Sequence, residues 1–128
     1  MADYTKKNLR EVEDAAVKHG FSETQIARFA GGDLDCERIG LALEGVKPGR
    51  RQAFGHRHEE DEEVYVILDG GGRMRLGEDV IEVGPLDAIR VAPGVMRAFE
   101  AGSDGLELLA FGTHHEGDGE IDPGFWSD

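Results

Sequence analysis

The side chains of this chain best suited to chemistry are His56, His58 and Glu63, the first two separated only by Arg57 and the third following after a gap of four residues. Side chains alternate along an extended strand, so His56 and His58 share one face and Arg57 takes the other. A carboxylate on the following strand can turn towards both imidazoles. Two histidines and one carboxylate form a donor set for divalent metals that leaves coordination positions open to substrate or oxygen. A His-x-His pair on an arbitrary strand is ordinary surface chemistry. The spacing onward to Glu63, and then to Gly70, lifts this pair above that reading.

The elements that must carry these residues can be read from patterning. Asn8 suits a helix N-cap, with Glu11 at the third helical position and Gly20 as the stop. Leu9, Val12 and Ala16 fall at helical spacing, which predicts a short amphipathic helix over about residues 9–18. Beyond residue 24, short apolar runs alternate with glycine-rich punctuation. Strands are expected near 25–29, 36–46, 52–58, 63–69, 73–76, 79–83, 88–91, 97–100 and 106–112, the pattern of an antiparallel sandwich or barrel. The expected layout is a flanking helix and lead-in strand (1–35), a barrel (36–112) and a tail (113–128). In the tail, Phe125-Trp126 should pack onto the barrel or a partner subunit.

Alternation assigns inward faces. Gln52, Phe54, His56 and His58 share one, as do Glu63, Tyr65 and Ile67, and Arg97 and Phe99. Ile39, Leu41 and Leu43 are expected inside, together with Met74, Leu76, Ile81 and Val83. The interior should then be apolar with a few placed polar groups (Gln52, His56, His58, Glu63, Tyr65 and Arg97), the make-up of a small-molecule pocket.

The run from His56 to Gly70 closely resembles the first motif of the cupin family, of the single-domain "cupin 2" type, and the likeness extends over about residues 36–112. It implies an all-β double-stranded β-helix, or jelly roll, with a site inside the barrel. It also implies that His56, His58 and Glu63 are metal ligands, with iron, manganese or zinc as the divalent ion. Gly49 stands one residue earlier than the family's leading glycine. The second motif is degenerate over residues 87–99: Leu86 replaces a glycine, Ala92 a proline and Ala101 an asparagine. Arg97 stands where the family has its fourth metal-binding histidine.

Arginine keeps its proton and cannot ligate. At about 5 Å from a divalent ion, its repulsion amounts to roughly 6–7 kcal/mol at an effective dielectric near 20. Two arrangements remain open. Arg97 pairs with Glu63 in a metal-free polar centre, or it swings aside to meet an anionic ligand such as a carboxylate or phosphate while three ligands hold a metal.

Composition narrows the partners. A net charge of −13 repels nucleic-acid backbones and anionic lipid heads. No apolar run approaches the roughly 20 residues of a membrane span, and Met1–Lys7 has no secretory apolar core, so a cytoplasmic location is expected. Cys36, the single cysteine, opens the strand expected over 36–46 and reads as a buried structural thiol. Cupins commonly dimerise, and a homodimer is expected. The function that follows is binding of a small molecule through Gln52, Tyr65, Arg97 and Phe99. A metal-dependent oxygenase, isomerase or lyase is the first alternative, with Tyr65 as a candidate general acid; a non-catalytic sensor or structural module is the second.

Overall fold

The structure is a computed structural model and describes residues 2–126. The described residues form eight strands: β1 (Gln25–Phe29), β2 (Ile39–Val46), β3 (Gly55–His58), β4 (Glu63–Leu76), β5 (Asp79–Val83), β6 (Ala88–Val91), β7 (Arg97–Thr113) and β8 (Gly119–Asp122). All pairings are antiparallel. The long strands β4 and β7 lie side by side, and each half of this ribbon recruits different neighbours. Residues 63–70 of β4 face 106–112 of β7, flanked by β6 on one side and by β2, then β1, on the other. Residues 72–76 face 97–101, flanked by β5 and, through His56 opposite Arg97, by β3 and then β8. The result is a sheet curled into an antiparallel half-barrel.

The sequence splits β4 and β7 into two strands each, because Gly70–Gly72 and Gly102–Gly105 look like chain reversals. In the structure they lie at the bend of the continuous ribbon. Gly70 holds φ +74°, and a Cβ there would stand 2.0 Å from the carbonyl oxygen of Gly105; one on Gly72 would stand 2.0 Å from that of Glu100. Glycine here permits two backbones to meet where the register shifts.

The core fills the concave side with Tyr65, Ile67, Met74, Phe99 and Leu108, among others. β2 contributes Ala42 and Val46 to it, whereas Ile39 is 57% exposed. The expected inward face of this strand is therefore reversed. Leu43 is buried too, on the opposite face, and the N-terminal 3-10 turn packs against this strand. With apolar residues needed on both faces, alternation loses its meaning.

Three other expectations change. Instead of one helix over 9–18 there is a 3-10 turn, Leu9–Glu11, and a single α-helical turn, α1 (Ala15–Lys18). Asn8 does cap the first, but the chain is extended at Val12 and Asp14 caps the second. One Asp14 oxygen accepts from the backbone N–H of both Ala16 and Ala27, tying α1 to β1, while Arg28 Nη1 donates to the Val12 carbonyl. Cys36 is exposed, not buried, because it sits in the turn before β2 and ahead of the apolar stretch. The tail supplies β8, paired with β3, and packs on its own barrel. The Phe125 ring fits against Gly55, beneath the Arg75 guanidinium at 4.5 Å, and Arg51 covers Trp126 at 4.8 Å. No helix among the described residues is long and apolar enough to cross a membrane.

Leu86, 81% exposed, holds φ +69°, a left-handed conformation that is strained for leucine. Leu86→Gly is therefore expected to stabilise the fold by roughly 0.5–1 kcal/mol in urea unfolding. Gly70→Ala should destabilise it by more than about 2 kcal/mol, since backbone atoms on β7 block the new methyl. Equal and small effects from both would contradict the bend geometry.

A candidate polar centre in the barrel cavity

β3 and the start of β4 bring His56, His58 and Glu63 together. Glu63 Oε1 lies 3.7 Å from His56 Nε2 and 3.9 Å from His58 Nε2, and the imidazole rings meet edge to face at 5.4 Å. This cluster of three donors has the types and proximity of a possible metal site. The same carboxylate oxygen is already engaged. Arg97 Nη2 donates to it at 2.6 Å and the Tyr65 hydroxyl also donates to it. Arg97 Nε donates to the Tyr65 oxygen at 2.9 Å and Nη1 to the Val95 carbonyl at 3.0 Å. Arg97 and Tyr65 are buried, at 0% and 1% exposure.

An ion bound at ordinary ligand distances of about 2.0–2.2 Å would share the Glu63 carboxylate with a guanidinium. The donor types suit a metal, and the charge of Arg97 in this position opposes one. The arrangement is a polar centre whose buried cation is Arg97.

Electrostatics follow from these contacts. Burial alone would raise the Glu63 carboxyl; its interactions with His56, Tyr65 and Arg97, and the charge of Arg97, overcome this and hold it at about 2. Burial, then the charge of Glu63, pushes the Tyr65 phenol well above its usual value. Burial, followed by the charges of Arg97 and His56, lowers His58 against the opposing pull of Glu63 and Asp118, so its imidazole is neutral near pH 7.

Behind His58 stands Asp118, at the entry to β8, with its Oδ2 3.6 Å from His58 Nδ1. Asp118 accepts from the backbone N–H groups of Glu59, Glu60 and Asp61 and so fastens the loop after β3. Asp61 is buried and accepts from Thr113 Oγ1 and the His115 backbone N–H, besides pairing with the His115 ring. His58, Asp61 and Asp118 are close enough to group around an ion. Both carboxylates, however, are committed to stapling loops.

The centre opens onto a cavity of about 670 Å³ between the α1–β1–β2 wall and β3 with β8. Gln52, His56, His58 and Glu63 line it. Arg97, Tyr65 and Phe99 are not lining residues: they are buried, and they touch the lining indirectly, through Glu63 and through the Phe99 N–H that donates to Gln52 Oε1. The rest of the wall is largely apolar, including Phe21 and Phe54, stacked edge to face at 5.4 Å.

Glu44, on β2, also lines the cavity, and sequence reading missed it. Burial, then the charge of Glu63, raises its carboxyl to about 7 against the weaker pull of Gln52 and Arg97. Its signal in the sequence was a lone acid in an apolar strand, Leu41-Ala42-Leu43-Glu44-Gly45-Val46, hidden by the wrong choice of inward face.

Glu44 has a pH signature of its own. A carboxyl raised in the fold from 4.5 to about 7 contributes stability below 4.5 that is lost as pH rises through 7. Glu44→Gln is uncharged throughout. Its stability in urea relative to the native chain should therefore grow by more than about 1 kcal/mol between pH 5 and pH 8. A gap that stays constant over this range would refute the shift.

Comparison with known proteins agrees with this fold. The cupin domain family model matches residues 42–112, more than half of the chain. No curated protein matches it significantly. Among similar solved structures is a cupin protein from Bacteroides fragilis, 22% identical, with a TM-score of 0.72, covering 91% of this chain and 89% of that one. The Streptomyces protein PAC13, solved with uridine, is 19% identical, with a TM-score of 0.72 and coverage of 91% and 88%. The polyketide cyclase RemF of Streptomyces resistomycificus is 19% identical, with a TM-score of 0.73 and coverage of 95% and 84%. At these identities the structures speak for the fold alone. With the family model spanning most of the barrel and the half-barrel enclosing its cavity, the chain belongs to the cupin family.

Proposed function

We propose that the chain binds an uncharged, flat, largely apolar small organic molecule in the barrel cavity, without a resident metal. The carrying observation is the charge on the cavity wall. Among the described residues that line it there is no lysine or arginine, while Glu44, Glu63 and Glu120 are present. Arg97, which would have suited an anion, is buried and spends its donors on Glu63, Tyr65 and Val95. An anion entering here would meet the carboxylates of Glu63 and Glu120 and no lysine or arginine. The aromatic walls and the volume suit a molecule of two to four fused rings. That one structural neighbour is a polyketide cyclase and another holds uridine supports a small organic ligand.

Fluorescence titration with two matched probes tests this. 1,8-Dihydroxyanthraquinone is expected to bind, and anthraquinone-2-sulfonate to bind at least tenfold more weakly. Tighter binding of the sulfonate, or no binding of either, would overturn the reading.

The donor set of His56, His58 and Glu63 sustains a second reading, a metal-dependent enzyme. Titration calorimetry with manganese, ferrous iron and zinc separates the two. Arg97→His removes a cation and adds a nitrogen donor, so it should bind at least tenfold more tightly than the native chain, with Arg97→Ala between them. Native protein that matches the histidine variant would favour the metal-dependent reading.

A further inference from the structure

Glu44 holds an unusual position among the acids of this cavity. It lies on the face of β2 that supplies Ala42 and Val46 to the core, opposite Leu108 of β7 and Ala27 of β1. Among the described residues its one hydrogen-bond partner is Gln52, whose Nε2 donates to Glu44 Oε1 at 3.3 Å. The orientation of that amide is not free. Gln52 Oε1 accepts from the Phe99 backbone N–H at 2.9 Å, so the amide must turn its NH₂ towards Glu44. Gln52 thus donates and does not accept at this contact, and Glu44 Oε1 is an acceptor. In the protonated acid the hydrogen then belongs on Oε2, which has no hydrogen-bond partner among the described residues.

Glu63 provides the contrast. Its oxygen facing the histidines takes hydrogen bonds from Arg97 and Tyr65, and it stays ionised. The charged and titratable groups acting on Glu44 are Glu63 across the cavity, with Tyr65 and Arg97 behind it; neither Tyr65 nor Arg97 lines the cavity. Burial and the Glu63 charge favour the neutral form of Glu44. Two carboxyl groups in one cavity are thereby shifted in opposite directions by their surroundings, Glu63 to about 2 and Glu44 to about 7.

We infer that Glu44 is a ligand-contacting hydrogen-bond donor, which selects molecules carrying a carbonyl or hydroxyl oxygen at the edge that meets β2. This inference rests on the proposed binding of flat apolar molecules and adds the group by which they are told apart. A site built to donate to an oxygen discriminates against the analogue that lacks one, because the donor is then left unpaired.

9-Fluorenone and fluorene form a matched pair of probes, differing by a carbonyl in place of a methylene. At pH 6 the native full-length chain is expected to bind fluorenone at least fivefold more tightly than fluorene. Glu44→Gln keeps a donor and should retain that ratio. Glu44→Leu should bring the ratio close to one while fluorene binds at least as well as before. A fluorenone preference that survives in Glu44→Leu, or is missing from the native chain although both probes bind, would overturn the role of Glu44 and leave the aromatic cavity standing. Binding of neither probe to the native chain would overturn the cavity reading and the inference with it.

Discussion

The buried contact between Arg97 and Glu63, with the Tyr65 hydroxyl bridging them, is the constraint around which the site is organised. A fully buried guanidinium needs a countercharge and partners for its donors, and Glu63, Tyr65 and the Val95 carbonyl supply them. Removing one member of such a pair strands the other and typically costs about 3–5 kcal/mol. The pair also fixes the character of the cavity. Glu63 remains an anion, His56 and His58 face it, and the positive charge stays behind the wall where no ligand reaches it.

The ribbon of β4 and β7 makes this arrangement possible. Glu63 and Tyr65 lie near one end of β4, and Arg97 begins β7, pairing at once with Leu76 of β4 and with His56 of β3. These residues meet only because the ribbon bends at Gly70 and Gly72, folding one half of the sheet over the other. The tail then locks the histidine strand in place. β8 pairs along β3, Asp118 collects three backbone donors of the following loop, and Phe125 fills the space above Gly55. His58 is thereby held between Glu63 on one side and Asp118 on the other.

The cavity has two chemically different poles. At one, Glu63 is held ionised by its partners; at the other, burial and the charge of Glu63 raise Glu44 to about 7. The difference arises from environment and not from residue type, since both are glutamates on neighbouring walls. Between them the lining is mostly apolar and aromatic, which strengthens every polar contact made inside it.

Local pattern in the sequence was enough to indicate an antiparallel sandwich or barrel and most strand positions, and the family resemblance of the motifs added the cupin fold and the grouping of His56, His58, Glu63 and Arg97. Strand alternation and motif spacing are short-range properties that survive without knowledge of the rest of the chain. Only the tertiary structure decided that the two glycine clusters are bends in continuous strands, because close backbone approach is a property of two distant segments. It alone turned Glu44 inward, since β2 is covered on both faces and its alternation carries no sign. It recruited the tail as a strand through contacts with β3 that no local pattern encodes. And it placed Arg97 against Glu63 rather than in the cavity, a choice between two partners for one buried charge that depends on which side of the wall the guanidinium is packed.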